Sequence, residues 1–392
     1  MNKTILILGG NNFFIGLIKA AKKLNYKVIS IDRNKDSIAK YYADEFHKID
    51  FSKYKQVFNF AKKKNINGIT THQSDVGVYS VGYVNNKLNL SGANLELSKI
   101  CSSKSLTRTY LNKNINQPKY LILKNLKNLT NKVETFGFPC ILKPSKSSAS
   151  RGIKIFRSKN DLKKIKNYKS EPSNKEFVLE QFIDGIEFGS QVLVIAGKIK
   201  KIFTHNDIFL NKKTPVPIGH SFPSKLNKKT QKKIEAYIAN LAKLLKIKNS
   251  VLNLDFILGN NNKIYLLEIG LRCGATCIPD LIKHHSGIDW ETIIIKMAMK
   301  KKINTSELKN KTLIPVAGEI FLSKKKFVLH KMIIPRNIDK DIVKVDLDRQ
   351  PKFTVNTFKN GTDRFGYILT KAKNVYQAEK LCKYYKNKIK FN

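Results

Sequence analysis

Two acids interrupt apolar runs in this 392-residue chain: Asp255 in "VLNLDFIL" and Glu268 in "IYLLEI", with Arg272 four residues further on. Asn261 and Asn262 lie between them, and both residue types tolerate the positive φ of a tight turn, so 251–269 reads as a β-hairpin. A turn on those asparagines sets position 255 directly opposite 268. The Cβ atoms of such a pair stand about 4.5–5.5 Å apart, where like charges repel. A sheet has no structural reason to hold two acids this way unless a cation lies between them. All-oxygen donors point to Mg²⁺ shared with substrate phosphates, with Mn²⁺ as the alternative ion. Asn253 shares that face and offers a further oxygen. The competing readings are pairing with surface lysines or a one-residue slip of register; because both acids are embedded in apolar runs, the metal is favoured.

Lys143 ends a second apolar strand, "PCILK", and the small-residue loop "SKSSASRGI" follows. Ser148, Ser150 and Gly152 in that loop suit a backbone that closes its N–H groups and hydroxyls over phosphates. The loop does not match GxxxxGK[ST], so by itself the motif is weak. His220, in "PIGHSFPSKL", reads as a loop histidine between prolines. His284 and His285 are adjacent on a helix and cannot share a face, which excludes them as a metal pair. Cys273 and Cys277 lack the partners of a four-ligand site, so packing is their expected role.

The elements that must position these groups follow from periodicity. "TILIL" reads as a buried strand, residues 14–24 as an amphipathic helix and "YKVISID" as a second strand. With "INGITT" they make a βαβ unit of parallel strands ending near Ile100. Ser102 or Ser103 can cap a helix that carries Lys104. "EFVLEQFI" reads as a strand, "GSQVLVIAGKIKKIFTH" as a hairpin turning at Ala196 and Gly197, and 228–246 as a lysine-rich helix. From about 306, strand-like segments end in the helix "VYQAEKLCKYYKN". The expected division is 1–100, 101–305 and 306–392.

Composition bounds the function. At 42% hydrophobic and 10% aromatic this is a folded globular chain. A formal charge of +45 attracts polyanions, but nearly all of it is lysine spread through every segment. A dedicated nucleic-acid binder should favour arginine, so no specific nucleic acid is expected. No apolar segment reaches the roughly 20 residues of a membrane span. Five cysteines with no paired spacing fit a reducing cytoplasm.

Taken in order, "FPCILKPSKSSASRGI", "VLEQFIDGIEF", "LDFIL", "LLEIGLRCGA" and "DRFGYILTKAKNVYQAEKL" resemble the ATP-grasp superfamily, in the branch of biotin carboxylase and carbamoyl phosphate synthetase. The resemblance covers nearly the whole chain. It implies an α/β and α+β architecture: an ATP-grasp fold with an N-terminal Rossmann-like unit and a small C-terminal β-rich domain. It implies that Lys104 and Lys143 hold the α- and β-phosphates of ATP, that Glu180, Gln181 and Ile183 face the adenine, and that Glu187 takes the ribose hydroxyls. Asp255 and Glu268 would ligate Mg²⁺, Arg272 would stabilise the transferred phosphoryl group, and His220 would border the substrate. Where the family commonly has Asn two residues after the second metal-binding Glu, this chain has Gly270, which removes a ligand; Asn253 is the expected substitute.

The implied activity is a carboxylate–amine ligase (or carboxylate–thiol ligase) that works through an acyl phosphate, with small-molecule substrates and a homodimer as the expected assembly. A bicarbonate-activating carboxylase is the neighbouring reading. A third is an NAD(P)-dependent oxidoreductase built on the N-terminal unit, because "GG" follows strand one and Asp32 ends strand two; Gly9, Gly10 and Gly16 do not make GxGxxG, which weighs against it.

Overall fold

The computed structural model describes residues 3–147, 151–166, 175–210, 216–335 and 340–392. Strands β1 (Thr4–Leu8), β2 (Lys27–Asp32), β3 (Glu45–Lys48) and β4 (Gly68–Thr71) form a parallel sheet in the order β3-β2-β1-β4. Helices Ile15–Lys23 and Tyr54–Lys63 pack their apolar stripes against it. The glycine turn after β1 is closed within the chain. The Phe14 ring packs on Gly9, and Asp32 accepts the Gly10 N–H at 2.9 Å and the Asn34 N–H at 2.9 Å. The groups that a dinucleotide would need are therefore already used, which disfavours the oxidoreductase reading.

Strands β5 (Tyr120–Leu123), β6 (Cys140–Pro144), β7 (Lys154–Phe156) and β8 (Phe177–Gln181) form an antiparallel sheet, β5-β8-β6-β7. The largest sheet is built from β9 (Gly185–Ile195), β10 (Lys198–Phe209), β11 (Pro217–Phe222), β12 (Ser250–Gly259), β13 (Ile264–Gly270) and β14 (Val316–Phe321). Short strands β15 (Phe327–Leu329) and β16 (Met332–Ile333) follow, then β17 (Ile342–Leu347), β18 (Phe353–Val355) and β19 (Gly366–Lys371). The large sheet's order is β13-β12-β9-β10-β11-β14-β19-β17. It runs unbroken past residue 305, because β14 pairs with β11.

Local chemistry explains the joints. Ala196 (φ 51°) and Gly197 (φ 73°) make the two-residue turn expected between β9 and β10, with Ile195 paired to Lys198. Ser103 caps the helix Lys104–Leu111 by accepting the Leu106 N–H, which orients Lys104 at its first turn. One face of the large sheet (Phe188, Val192, Leu252, Leu254, Phe256) is buried under Ile234, Ile238 and Leu241 of the helix Lys228–Leu244. Period-2 alternation then sends Glu187, Gln191, His205, Asp207, Asn253, Asp255 and Glu268 to the other face. The cysteines are free and buried. Among the described residues no helix is long and apolar enough to cross a membrane.

Candidate active site

Asp255 and Glu268 are direct cross-strand partners, as the hairpin reading requires. The register is not constant along the hairpin, however. From Phe256, which pairs with Leu266, to the turn it is displaced by one residue, and Leu267 forms a bulge that restores the alignment at Glu268. The bulge carbonyl is satisfied by Arg108, whose Nη2 donates to Leu267 O at 3.0 Å. The turn alone would have sent Glu268 to the wrong face.

Four cationic groups lie in this region, one bonded to the pair and three to other acids or carbonyls. Lys104 Nζ donates to Glu268 Oε1 (2.8 Å) and to Ser147 O (2.7 Å). Arg272 grips Asp75 with Nε (2.8 Å) and Nη2 (2.7 Å). Lys143 Nζ and Arg108 Nε each donate at 2.8 Å to one oxygen of Glu180, which is wholly buried. Burial alone would raise the Glu180 carboxyl; the Arg108 and Lys143 charges outweigh it and hold the carboxyl down at about 2.

Asp255 is in the opposite condition. Burial pushes its carboxyl up, repulsion from Glu268 and then Asp207 adds to this, and it reaches about 8. Glu187 is raised to about 7, first by burial and then by Asp207. This face therefore carries carboxylates short of positive charge. The all-oxygen pair Asp255 and Glu268 is what a hard divalent cation would compensate, so the residues fit Mg²⁺.

Asn253 does not fit the role of substitute ligand. Its Nδ2 donates to Asp255 Oδ1 (3.0 Å) and its oxygen accepts Gln191 Nε2 (2.6 Å), while Gln191 Oε1 accepts the Gly274 N–H (2.8 Å). A backbone N–H can only donate, so this chain orients both amides and leaves Asn253 a donor toward Asp255. Gly270 has a positive reason to be glycine: a Cβ there would lie 3.3 Å from the Arg272 guanidinium and 3.3 Å from Asp75 Oδ1.

The remaining expected residues fall as follows. Gln181 is exposed at the end of β8, Ile183 lies in the short link to β9, and Glu187 stands on β9 within reach of Lys143's charge. Gly152 sits in the turn before β7, whereas Ser148 and Ser150 lie outside the described residues. His220 is not in a loop. It belongs to β11, where Pro217 takes the first position and Pro223 follows the last, the places where a missing N–H is least costly. Its Nδ1 lies 2.8 Å from Asp207 Oδ1.

Asp75, Arg108, His205 and Asp207 were not found by reading the sequence. Arg108 is one helical turn after Lys104 and so shares its face, a usable signal. Asp75 follows the C-terminal end of a parallel strand, where such sheets hold ligands. An open surface groove of about 440 Å³, lined by Asn116, Lys233, Tyr237 and the hairpin tip, shares none of these residues.

Residues 136–280 match the family described as ATP-grasp domain. D-alanine--D-alanine ligase of Wigglesworthia glossinidia brevipalpis is 30% identical over 225 residues, 53% of this chain and 62% of that protein. Formate-dependent phosphoribosylglycinamide formyltransferase of Prochlorococcus marinus (strain NATL2A) is 27% identical over 187 residues, 46% of this chain and 48% of that one. Among solved structures, phosphoribosylglycinamide synthetase from Anaerococcus prevotii superposes with a TM-score of 0.81 at 26% identity, over 100% of both chains. The chain thus spans 48% to 62% of the length of these curated relatives. Residues 136–280 of this chain thus match an ATP-grasp domain, and the whole chain shares the fold of the Anaerococcus prevotii structure.

Proposed function

We propose that the chain is an ATP-dependent ligase joining a small-molecule carboxylate to an amine, with an acyl phosphate as intermediate and ADP and phosphate as products. The observation that carries this reading is the half-buried, cross-strand Asp255–Glu268 pair with Lys104 on one of its acids. Magnesium held by Asp255 and Glu268, or manganese in its place, supplies charge neutralisation at phosphate oxygens when bound.

The chain's own groups do the rest. Lys104 and Lys143 are point charges for the phosphates, and each now rests on a carboxylate that a nucleotide would displace. Arg272, fixed in direction by Asp75, offers its remaining N–H groups to the charge that develops on the transferred phosphoryl. Ser148, Ser150 and Gly152 cover the phosphates; Gln181 and Ile183 border the base and Glu187 the ribose. Glu180 acts through Lys143 and Arg108 more than through the adenine, because both its oxygens are taken. His220 borders the acceptor. We read three units, 1–100, 101–305 and 306–392, the last two sharing the large sheet through β14 and β19, in a cytoplasmic enzyme, with a homodimer as the assembly to test.

The D-alanine--D-alanine ligase likeness supports the carboxylate–amine chemistry. The deciding experiment measures ADP and phosphate release against a panel of carboxylates, each with and without amines. Turnover that needs both is expected, and Glu268→Ala should abolish it with the fold intact by circular dichroism. An unchanged ATPase rate in that variant would falsify the metal assignment.

A further inference from the structure

Two strands from the acid pair, the same sheet face carries a second convergence of donor atoms. His205 and Asp207 are two residues apart on β10, and His220 is the direct partner of Asp207 on β11. Both imidazoles turn Nδ1 to one oxygen: His205 Nδ1 lies 3.1 Å and His220 Nδ1 2.8 Å from Asp207 Oδ1. The three donor atoms all lie within 4.8 Å of one another, and both histidines are buried. Space for this is built in at Gly189, where a Cβ would come within 2.3 Å of His205 Cε1 and 2.4 Å of its Nε2.

We propose that His205, Asp207 and His220 bind a divalent transition-metal ion of the zinc class, at a site separate from the Asp255–Glu268 pair. Two imidazole nitrogens and one carboxylate select such an ion over magnesium, which prefers oxygen donors. Bonds of about 2.1 Å set neighbouring donors roughly 3.0–3.4 Å apart. The observed 2.8 and 3.1 Å need only a small opening to accept the ion. Asp255 and His205 are both register partners of Gly189, one on each side. Their Cα atoms thus stand two strand spacings, about 10 Å, apart, and the two groups of donors rest on different strand pairs. Three protein ligands leave a coordination position open, and water, a carboxylate or an amine can fill it.

The ion competes with a hydrogen-bonded arrangement. Gln191, oriented by the Gly274 N–H, presents Nε2 at 3.4 Å from His205 Nε2, which keeps that ring's proton on Nδ1, an atom 3.1 Å from Asp207 Oδ1 that completes no hydrogen bond. Metal takes the place of that proton and sends it to Nε2, so Gln191 opposes loading and tempers the affinity.

The test does not depend on the ligase reading, because it uses metal alone. The full chain, stripped with EDTA and then held in excess Mg²⁺ to occupy the acid pair, is titrated with Co²⁺ by its visible absorption and with Zn²⁺ by calorimetry. One saturable equivalent is expected, lost in His220→Ala and retained in Glu268→Gln. If His220→Ala does not fold, judged by its thermal transition, His205→Gln is read in its place. Absence of saturable binding in the unaltered chain, binding that survives the histidine replacement, or binding lost equally in Glu268→Gln would each overturn the proposal.

Discussion

Arg272 and Asp75 form a two-pronged ion pair, Nε and Nη2 each donating to a separate carboxylate oxygen at 2.8 and 2.7 Å, and it links the loop after β13 to the loop after β4. Such a fork fixes direction as well as charge. Asp75→Asn keeps the shape and removes the charge, so Arg272 stays cationic but loses its aim. The expected result is a kcat lower by roughly 10- to 100-fold with the KM for ATP nearly unchanged, the pattern of an interaction realised in the transition state. Steady-state ADP release measures both constants. A change confined to KM would assign Arg272 to ground-state binding instead.

The acid pair makes stability depend on pH in an unusual direction. The Asp255 carboxyl is near 3.8 when unfolded and is raised to about 8 in the fold. Between those values the native state holds a proton that the unfolded chain has released, so stability falls as pH rises. Glu187, raised to about 7, adds a slope of the same sign. Thermal unfolding in EDTA should therefore show a Tm that declines from pH 5 to pH 8, with the decline shallower in Asp255→Asn. About 1 kcal/mol moves the Tm of a domain of this size by roughly 2–4 °C, so the variant should be several degrees more stable than its parent at pH 8. Magnesium should restore part of the loss in the parent and none in the variant. Parallel pH profiles for the two proteins would refute the assignment.

Glu180 carries a structural prediction. Arg108 and Lys143 share its two oxygens, and Arg108 also closes the β13 bulge. In Glu180→Gln, two largely buried cations would lose the carboxylate that both of them bond. Breaking such a network from one side costs about 3–5 kcal/mol. Urea unfolding near pH 7 should show that loss. With the carboxyl held at about 2, its contribution is fully present above pH 4.5 and disappears only as pH falls toward 2, so the gap between variant and parent should narrow in acid.

These residues also show what could be read in advance. That 251–269 folds as a hairpin carrying both acids was legible from local strand alternation, but the pairing of Asp255 with Glu268 agrees with that reading only because a bulge offsets the register set by the turn. The bulge at Leu267 was not legible, since it is stabilised by Arg108, a tertiary contact from another element. His220 was misread as a loop residue because prolines flank its strand, although both occupy positions that need no N–H. His205 and Asp207 gave no signal of their own: "THND" carries no spaced motif, and their meaning comes from β11, which the sequence does not announce as a neighbour. The parallel N-terminal unit and the β9–β10 hairpin were legible, being set by short-range periodicity and turn chemistry.

Gly270 leaves room for the Arg272–Asp75 pair. An asparagine there adds an oxygen donor, and on the ligand reading Gly270→Asn should raise the apparent affinity for magnesium. The geometry argues otherwise. Position 270 shares the face of Glu268, and any Cβ arrives 3.3 Å from both the Arg272 guanidinium and Asp75. The larger amide must push that pair apart, because the guanidinium is also held by Cys273 O at 3.0 Å and has little freedom to retreat. Gly270→Asn is therefore expected to lower ATP turnover about as much as Asp75→Asn does, without tightening the magnesium dependence of the rate. Adding Asp75→Asn to Gly270→Asn should cost little more than either alone, since both break one contact. Additive losses in that double variant, or a lower magnesium requirement in Gly270→Asn, would show that the glycine serves something other than the Arg272–Asp75 pair.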